Sequence, residues 1–224
     1  MDNLRVSTIT SILKISSDID LKKIYDNVPI TKYIPFIEYG SNNPQRGFSK
    51  KMLKKVRKKS KKKIFYNQAT IHVIHDDKIM NVKLFNNGKI QITGLKGINQ
   101  STVLVEKLIN YLQDLSVLDY ETKLVSSELV LINSDFDIGY EIERETLHNE
   151  IIEYGIYSSY EPCIYPGVNI KYFMNKNNFD GICCCENICN GKGKANGDGD
   201  CKKVTIAVFK SGKIIITGGQ SIAQ

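Results

Sequence analysis

The sequence predicts an α+β fold built from two tandem copies of one unit. Residues 85–100 read FNNGKIQITGLKGINQ and residues 209–224 read FKSGKIIITGGQSIAQ; they agree at nine of sixteen positions, with an offset of 124 residues. A weaker match of apolar positions relates residues 18–28 to residues 141–151, in the same order and at nearly the same offset. Two such matches indicate a gene duplication. A period this long is typical of a small α/β unit, because solenoid repeats are shorter.

The first copy is predicted to run strand, helix, long loop, antiparallel strands, helix. Residues 5–13 read as the first strand and residues 18–28 as the first helix. In the later strands, alternation places one set of apolar side chains on a single face: Ile71, Val73, Met80, Val82, Leu84, Ile90 and Ile92. The turn FNNGK is typical of a β-hairpin because Asn and Gly tolerate positive φ. Ser101 and Thr102 predict the N-terminal cap of the last helix.

The second copy repeats this order from a strand at 127–138. Its last residue, Gln224, is the equivalent of Gln100, so we expect the closing helix to be absent here and the natural protein to continue beyond residue 224. The predicted domains are residues 1–118, with a basic insert at about 41–63, and residues 119–224, with a Cys- and Gly-rich insert at about 174–203.

The composition is that of a soluble globular protein with one concentrated charge. No apolar stretch approaches the ~18 residues of a membrane span, and the N-terminus lacks a signal-peptide pattern. Residues 50–63 contain ten Lys or Arg and no acid, whereas the rest of the chain has a net charge of about −3. Such a run is suited to nuclear targeting, to an acidic partner or to DNA phosphates, and a solvated flexible loop is the alternative.

The sheet face that helices leave free carries the candidate functional residues. In the first copy these are Gln68, Thr70, His72, Lys83, Phe85, Gln91 and Thr93, and in the second Thr205, Ala207, Phe209, Ile215 and Thr217. Phe85 and Phe209 are related by the duplication, which suggests a symmetric platform. The alternative is that both rings pack beneath a loop.

Several segments resemble the TATA-box-binding protein family: VSTI (6–9), LFNNGKIQITG (84–94), SSYEPCIYPG (158–167) and TIAVFKSGKIIITGG (205–219). The third agrees with the family's SSYEPELFPG at seven of ten positions, including both prolines. The resemblance implies a pseudosymmetric saddle, with a curved antiparallel sheet and helices on its convex face. It implies a DNA-binding transcription initiation factor, in which apolar wedges enter A·T-rich promoter DNA from the minor groove and bend it.

The resemblance also implies which residues contact DNA. Phe85 and Phe209 match one wedge Phe in each repeat, Tyr165 stands at the other wedge of the second repeat, and Gln68 stands at the remaining position. The other implied contacts are Lys83, Gln91, Thr93, Ile215 and Thr217. Lys83 and Gln91 replace apolar family residues, so the first repeat is expected to act less well as a wedge. The family's paired groove-reading asparagines have no match in register, although Asn3 and Asn133 lie nearby.

Phosphate contacts and protein partners complete this expectation. Within the basic run, the candidates for phosphate contacts are Lys54, Lys55, Arg57, Lys58 and Lys59. Glu161 matches a family glutamate that contacts the polymerase-bridging initiation factor, while the neighbouring family acid is replaced by Cys163. The expected partners are therefore double-stranded DNA, RNA polymerase and that bridging factor.

The cysteine-rich insert leaves two interpretations open. Cys183, Cys184, Cys185, Cys189 and Cys201 provide enough thiols for zinc, with Cys185, Cys189 and Cys201 as the candidate ligands. No CxxC pair is present and the spacing is irregular, which favours a mobile, reduced loop and no cofactor.

We expect no enzymatic activity, because the three histidines form no catalytic arrangement with the cysteines and no nucleophile motif is present. Two other functions stay open: a non-specific DNA-packaging protein, and a protein-interaction module that has lost DNA binding. The expected protein is a monomeric pseudodimer without membrane association. It would act in the nucleus or in a cytoplasmic viral factory, since the Asn, Ile and Lys usage hints at a large DNA virus, with packaging in the virion as a further option.

Overall fold

The computed structural model describes residues 4–40, 44–48, 67–97 and 99–221. The chain divides into two compact units, a first unit of residues 9–129 and a second unit of residues 1–8 together with 130–224. The basic run at 50–63, with its five candidate phosphate contacts, lies outside the described residues.

The first unit is an antiparallel sheet with two described helices. Its strands are β1 (Arg5–Ile15, in this unit from Ile9), β2 (Phe36–Tyr39), β3 (Gln45–Gly47), β4 (Gln68–His75), β5 (Lys78–Phe85) and β6 (Lys89–Leu95). Hydrogen bonding orders them β1-β6-β5-β4-β2-β3. The helices are α1 (Leu21–Asn27) and α2 (Gln100–Asp114).

One face of this sheet forms the core of the first unit, as the alternation predicts. Ile71, Val73, Val82, Ile90 and Ile92 are all buried. The helices bury apolar side chains of their own, namely Leu21, Ile24, Leu104, Val105, Leu108, Ile109 and Leu112. The period-2 pattern therefore identifies the covered face of the sheet correctly.

The helix starts differ from each other in their chemistry. At α1, the Asp20 carboxylate accepts a hydrogen bond from the backbone N–H of Lys23 over 2.9 Å, which satisfies one donor of the first turn. The predicted cap of α2 at Ser101 and Thr102 is wrong, because this helix begins at Gln100 and Asn99 is its cap, without a side-chain hydrogen bond. The Gln100 side chain instead accepts from the N–H groups of the preceding turn.

The second unit repeats this architecture with one described helix, α3 (Arg144–Glu153). Its strands are β7 (Leu124–Asp137, in this unit from Val130), β8 (Tyr157–Ser159), β9 (Val168–Asn175), β10 (Asn178–Gly181), β11 (Lys202–Val208) and β12 (Lys213–Gly219). They are ordered β10-β9-β11-β12-β7, with β8 also paired to β9. Val168, Ile170 and Val208 are buried against a layer that includes Leu147 and Ile151 of α3.

The duplication is visible in how each unit holds its last hairpin. Gly88 and Gly212 occupy the equivalent turns at φ +73° and +81°, and in both an added Cβ would lie 2.3 Å from a backbone carbonyl oxygen of the segment before the helix. The N–H of Ile15 donates to Gly88 O over 3.0 Å, and the N–H of Ile138 donates to Gly212 O over 3.1 Å. Glycine is therefore required at each of these positions for two reasons: the positive φ angle and the close approach of a carbonyl oxygen.

None of the helices in the described ranges is long and apolar enough to cross a membrane.

Candidate nucleic-acid interface

In the first unit, the face opposite the helices is a polar surface built from cross-strand rows. One row joins His72, Asn81, Thr93 and Thr10 on four neighbouring strands. The next joins Thr70, Lys83, Gln91 and Ile12. Directly paired residues share a face, so the register places all the predicted contacts of the first copy on one side of the sheet, including Gln68 opposite Phe85.

Hydrogen bonds join several of these polar side chains. The hydroxyls of Thr10 and Thr93 lie 3.4 Å apart, and the Asn81 amide nitrogen lies 3.3 Å from His72 Nε2. Gln68 donates to the Thr70 hydroxyl over 3.1 Å. Thr10, Thr70 and His72 are buried, while Lys83, Phe85, Gln91 and Thr93 are half-buried. This face therefore offers ligands a compact polar surface in which one aromatic ring, Phe85, is partly accessible.

The same face of the second unit is more apolar. One row joins Lys171, Thr205, Thr217 and Asn133, and the next joins Asn169, Ala207, Ile215 and Asp135. The predicted contacts Ile215 and Thr217 both lie on this face and are half-buried. Ala207 and Ile215 are direct neighbours and form an apolar strip of two residues, with Asn169 and Asp135 at its two ends.

An aromatic pair closes one end of this surface. Tyr165 and Phe209 pack edge to face with their ring centroids 5.7 Å apart, and Tyr165 is 38 % exposed. Gly167 permits this packing, because a Cβ there would lie 3.0 Å from the Tyr165 ring and 3.2 Å from the Phe209 ring. The two predicted wedge residues of the second copy thus form one aromatic edge, with the tyrosine more accessible to a partner.

Charges on this face are locally balanced. The Asp135 carboxylate accepts from Arg5 over 2.9 and 3.1 Å, and Lys213 Nζ lies 3.9 Å from the same carboxylate. Lys171 donates to the Thr205 hydroxyl over 2.9 Å, which directs its charge along the surface. Neither Asp135 nor Lys171 was singled out from the sequence, because their pairing with distant strands cannot be read from local spacing.

Asn133 lies directly opposite Thr217 on this face. The expectation that it lies out of register with the family's groove-reading asparagines stays a prediction. The equivalent of Asn133 in the first unit is Thr10, opposite Thr93. The Asn133 Oδ1 atom is buried and has no hydrogen-bond partner among the described residues. An amide oxygen accepts hydrogen bonds, so this atom is suited to a partner that donates one to it.

Glu161 lies on an exposed loop beside the aromatic pair. Its carbonyl oxygen accepts from the N–H groups of Ile164 and Tyr165, each over 2.9 Å, and this turn leaves the Glu161 side chain in solvent. Ile164 is 85 % exposed and Cys163 is also exposed. An acid beside an exposed aliphatic residue is a combination suited to a protein partner.

Four cysteines of the insert bring their sulfur atoms close together. The Sγ atoms of Cys183, Cys185, Cys189 and Cys201 all lie within 4.8 Å of one another. Cys184 is exposed, and its sulfur accepts from the Asn178 amide over 3.0 Å instead. The structure therefore adds Cys183 to the three candidate ligands chosen from the sequence and separates Cys184 from them.

These observations define the class of protein: two α/β units of similar architecture, each presenting the helix-free face of an antiparallel sheet. The fold matches that of the solved TATA-box-binding protein (TBP) of Methanococcus jannaschii, with a TM-score of 0.59 and 16% identity over 99% of this chain and 90% of that one. The predicted fold class is thereby confirmed.

Two curated relatives carry the resemblance in sequence. The chain is 28% identical to a TATA-box-binding protein-like protein of Acanthamoeba polyphaga mimivirus, over 98% of this chain and 61% of that protein. It is 25% identical to the TATA-box-binding protein of Dictyostelium discoideum, over 61% of this chain and 51% of that protein. The chain thus spans between half and three fifths of the length of these relatives, and it matches no family model. The resemblance to the TATA-box-binding protein family is confirmed in sequence and in fold.

Proposed function

We propose that this chain is a DNA-binding transcription initiation factor whose helix-free sheet faces contact the minor groove of A·T-rich promoter DNA. The observation that carries the proposal is the aromatic edge of Tyr165 and Phe209, beside the apolar strip of the second unit. Its counterpart in the first unit is Phe85, at the duplicated position. Partly accessible aromatic rings at the ends of a sheet surface are suited to stacking against unstacked base steps.

The chemistry of the surface favours the minor groove of A·T pairs. That groove presents only the acceptors A N3 and T O2 and lacks the protruding amino group of guanine. Thr93 and Thr217 supply hydroxyl donors, the Asn133 side chain supplies amide N–H donors, and Ile215 supplies an apolar contact that an amino group would disrupt. Lys83 and the basic run at 50–63 add attraction to phosphates that is independent of base sequence.

A protein partner fits the exposed loop that carries Glu161. We infer that this loop receives the polymerase-bridging initiation factor, with Glu161 as the charged contact and Ile164 as the apolar one. Such a role is non-enzymatic and places the protein in the nucleus or in a viral factory, in keeping with the viral and eukaryotic sources of its relatives.

Duplex binding followed by fluorescence anisotropy tests the DNA proposal. TATA-like and G·C-rich oligonucleotides are compared across a salt series, for the chain itself and for the Phe85→Ala/Phe209→Ala double variant. We expect the A·T-rich duplex to bind more than tenfold more tightly, about 1.4 kcal/mol, and the variant to lose that margin. Phe179→Ala is the matched control, because Phe179 is an exposed phenylalanine on β10, away from these rows.

Two other outcomes would overturn the proposal in favour of its rivals. Equal affinity for both duplexes, with a steep salt dependence and no effect of the double variant, would indicate a packaging protein that binds through its basic run. No DNA affinity, with polymerase-associated proteins recovered through Glu161, would indicate an interaction module. The Glu161→Gln variant separates the second case from non-specific recovery.

A further inference from the structure

The four clustered cysteines come from both ends of the segment that joins β10 to β11. Cys183, Cys185 and Cys189 follow β10 closely, whereas Cys201 directly precedes β11. The Cys201 sulfur lies 3.3 Å from that of Cys185 and 3.8 Å from that of Cys183. Four thiolates bound tetrahedrally to zinc at about 2.3 Å lie about 3.8 Å from one another, so the cluster has nearly the dimensions of a tetrathiolate site.

We propose that Cys183, Cys185, Cys189 and Cys201 bind one structural zinc ion. The site is closed, since four protein sulfurs fill a tetrahedral coordination shell and leave no position for water or substrate. It is a property of the insert and is independent of the function proposed for the sheet faces.

The groups around the sulfurs support a metal site. The Asn175 amide donates to Cys201 Sγ over 3.3 Å and to the carbonyl oxygen of Gly197 over 2.7 Å, which holds the loop against the cluster. Hydrogen bonds of this kind orient thiolate ligands and disperse their charge.

The close approach of the four sulfurs indicates what a cation would contribute. Their Sγ atoms lie within 4.8 Å of one another, so they cannot all ionise without a positive charge between them.

The segment also lacks an apolar core that could order it. Between β10 and β11 its aliphatic residues are Ile182, Ile188 and Ala195, and Ile188 is 100 % exposed. Its backbone is held by polar contacts, such as Gly193 N–H to Cys201 O over 3.0 Å and Lys203 N–H to Gly191 O over 2.8 Å. Small segments without a core are commonly stabilised by a structural metal.

The experiment measures metal and thiols on the whole chain purified under reducing conditions. Elemental analysis is expected to find one zinc per chain. Titration with a mercurial reagent is expected to release that zinc as four thiols react. Replacement with cobalt(II) is expected to give the visible absorption of a tetrahedral tetrathiolate. Because these readouts use the unmodified chain, they do not depend on whether a variant folds.

Variants then assign the ligands. Cys185→Ser and Cys189→Ser are expected to weaken zinc binding by at least about 100-fold, since each removes a ligand. Cys184→Ser is the matched control: it alters the adjacent residue, whose sulfur faces Asn178, and is expected to leave zinc binding unchanged. Absence of zinc from the reduced chain, a Cys185–Cys201 disulfide in peptide mapping, or equal loss in Cys184→Ser would each overturn the proposal.

Discussion

At two equivalent positions, the helix-free face of the first unit carries polar residues and that of the second unit carries apolar ones. Lys83 and Gln91 occupy the positions of Ala207 and Ile215, offset by 124 residues. The covered faces, in contrast, are apolar in both units: Val82 has Ile206 as its equivalent, and the two strands pair with their neighbours in the same pattern. Packing against the core requires apolar residues on one face of each unit, whereas the other face has no such requirement and differs in chemistry between the units.

The difference suggests a division of labour within the proposed function. The second unit, with its aromatic edge and apolar strip, is suited to base-step insertion and to discrimination between A·T and G·C pairs. The first unit, with Lys83 and a hydrogen-bonded polar network, is suited to attraction and positioning. Variants at four places in the two units test this contrast in the DNA-binding assay.

The largest expected effect is the asymmetry between the two equivalent phenylalanines. Stacking against a base is worth about 1–3 kcal/mol, so Phe209→Ala should weaken binding to the A·T-rich duplex by about 10- to 100-fold. Phe85→Ala should cost less than about tenfold, because the ring lies on a polar surface without an aromatic neighbour such as Tyr165. Anisotropy titrations measure both losses, and thermal melting verifies that each variant is folded. Equal losses of affinity in the two variants would mean that Phe85 and Phe209 contribute equally to base-step insertion.

Exchanging the residues at positions 83 and 91 with those at 207 and 215 should change the preference of each unit for A·T-rich DNA. The Lys83→Ala/Gln91→Ile variant gives the first unit the strip of the second. We expect a severalfold higher A·T preference and a salt dependence reduced by about one phosphate contact. The reciprocal Ala207→Lys/Ile215→Gln variant should lose preference and gain salt dependence. If both exchanges leave the ratio of the affinities for A·T-rich and G·C-rich duplexes unchanged, the apolar strip does not contribute to this discrimination.

Asp135 should restrain binding by the second unit. Asp135→Asn removes a carboxylate that engages Arg5 at 2.9 Å and Lys213 at 3.9 Å. Both cations then become available to phosphates, so affinity at low salt should rise by up to about tenfold with a steeper salt dependence. Glu145→Gln on α3 changes the net charge equally but lies away from this row, and is the control. Identical gains in both variants would indicate net charge alone.

The smallest effect is expected at the residue equivalent to Asn133. Thr10→Asn gives the first unit the Asn–Thr pair that the second unit has, and an added hydrogen bond is worth about 0.5–1.5 kcal/mol. Affinity for the A·T-rich duplex should therefore rise about two- to tenfold, as measured in the same assay. Thr10→Val, which removes the hydroxyl without adding an amide, should weaken binding. A gain from both variants would exclude a specific hydrogen bond.

The local sequence pattern was sufficient to predict the sheet face on which each side chain lies, but not which strands pair with each other. Alternation correctly placed Ile71, Val82 and Ile92 in the core and Lys83 and Gln91 opposite, because a side chain's face depends only on its own strand. The sequence motifs likewise identified the fold, which the Methanococcus jannaschii structure confirms. The contact residues remain a prediction, and the basic run lies outside the described residues.

The register of the strand pairs and the clustering of the four cysteines could not be predicted from the sequence. The pairing of Asn133 with Thr217 could not be predicted from the sequence, because the partner of a residue depends on the register of a second, distant strand. The cysteines looked irregular because their geometry depends on a loop that returns to its starting point and brings Cys201 to Cys183. Adjacent cysteines thereby acquire different environments, as at Cys184 and Cys185.

The pairing of β9 with β11 has a consequence for how this protein could be re-engineered. It runs without a shift from Val168 opposite Val208 to Met174 opposite Lys202, although the chain between these strands includes β10, which also pairs with β9. Residues 182–201 join β10 to β11, so a peptide tag or a fluorophore-bearing loop grafted there would leave the β9–β11 register unchanged while removing the proposed zinc site. The same geometry would allow insertions of new sequence to be tolerated at this place during evolution.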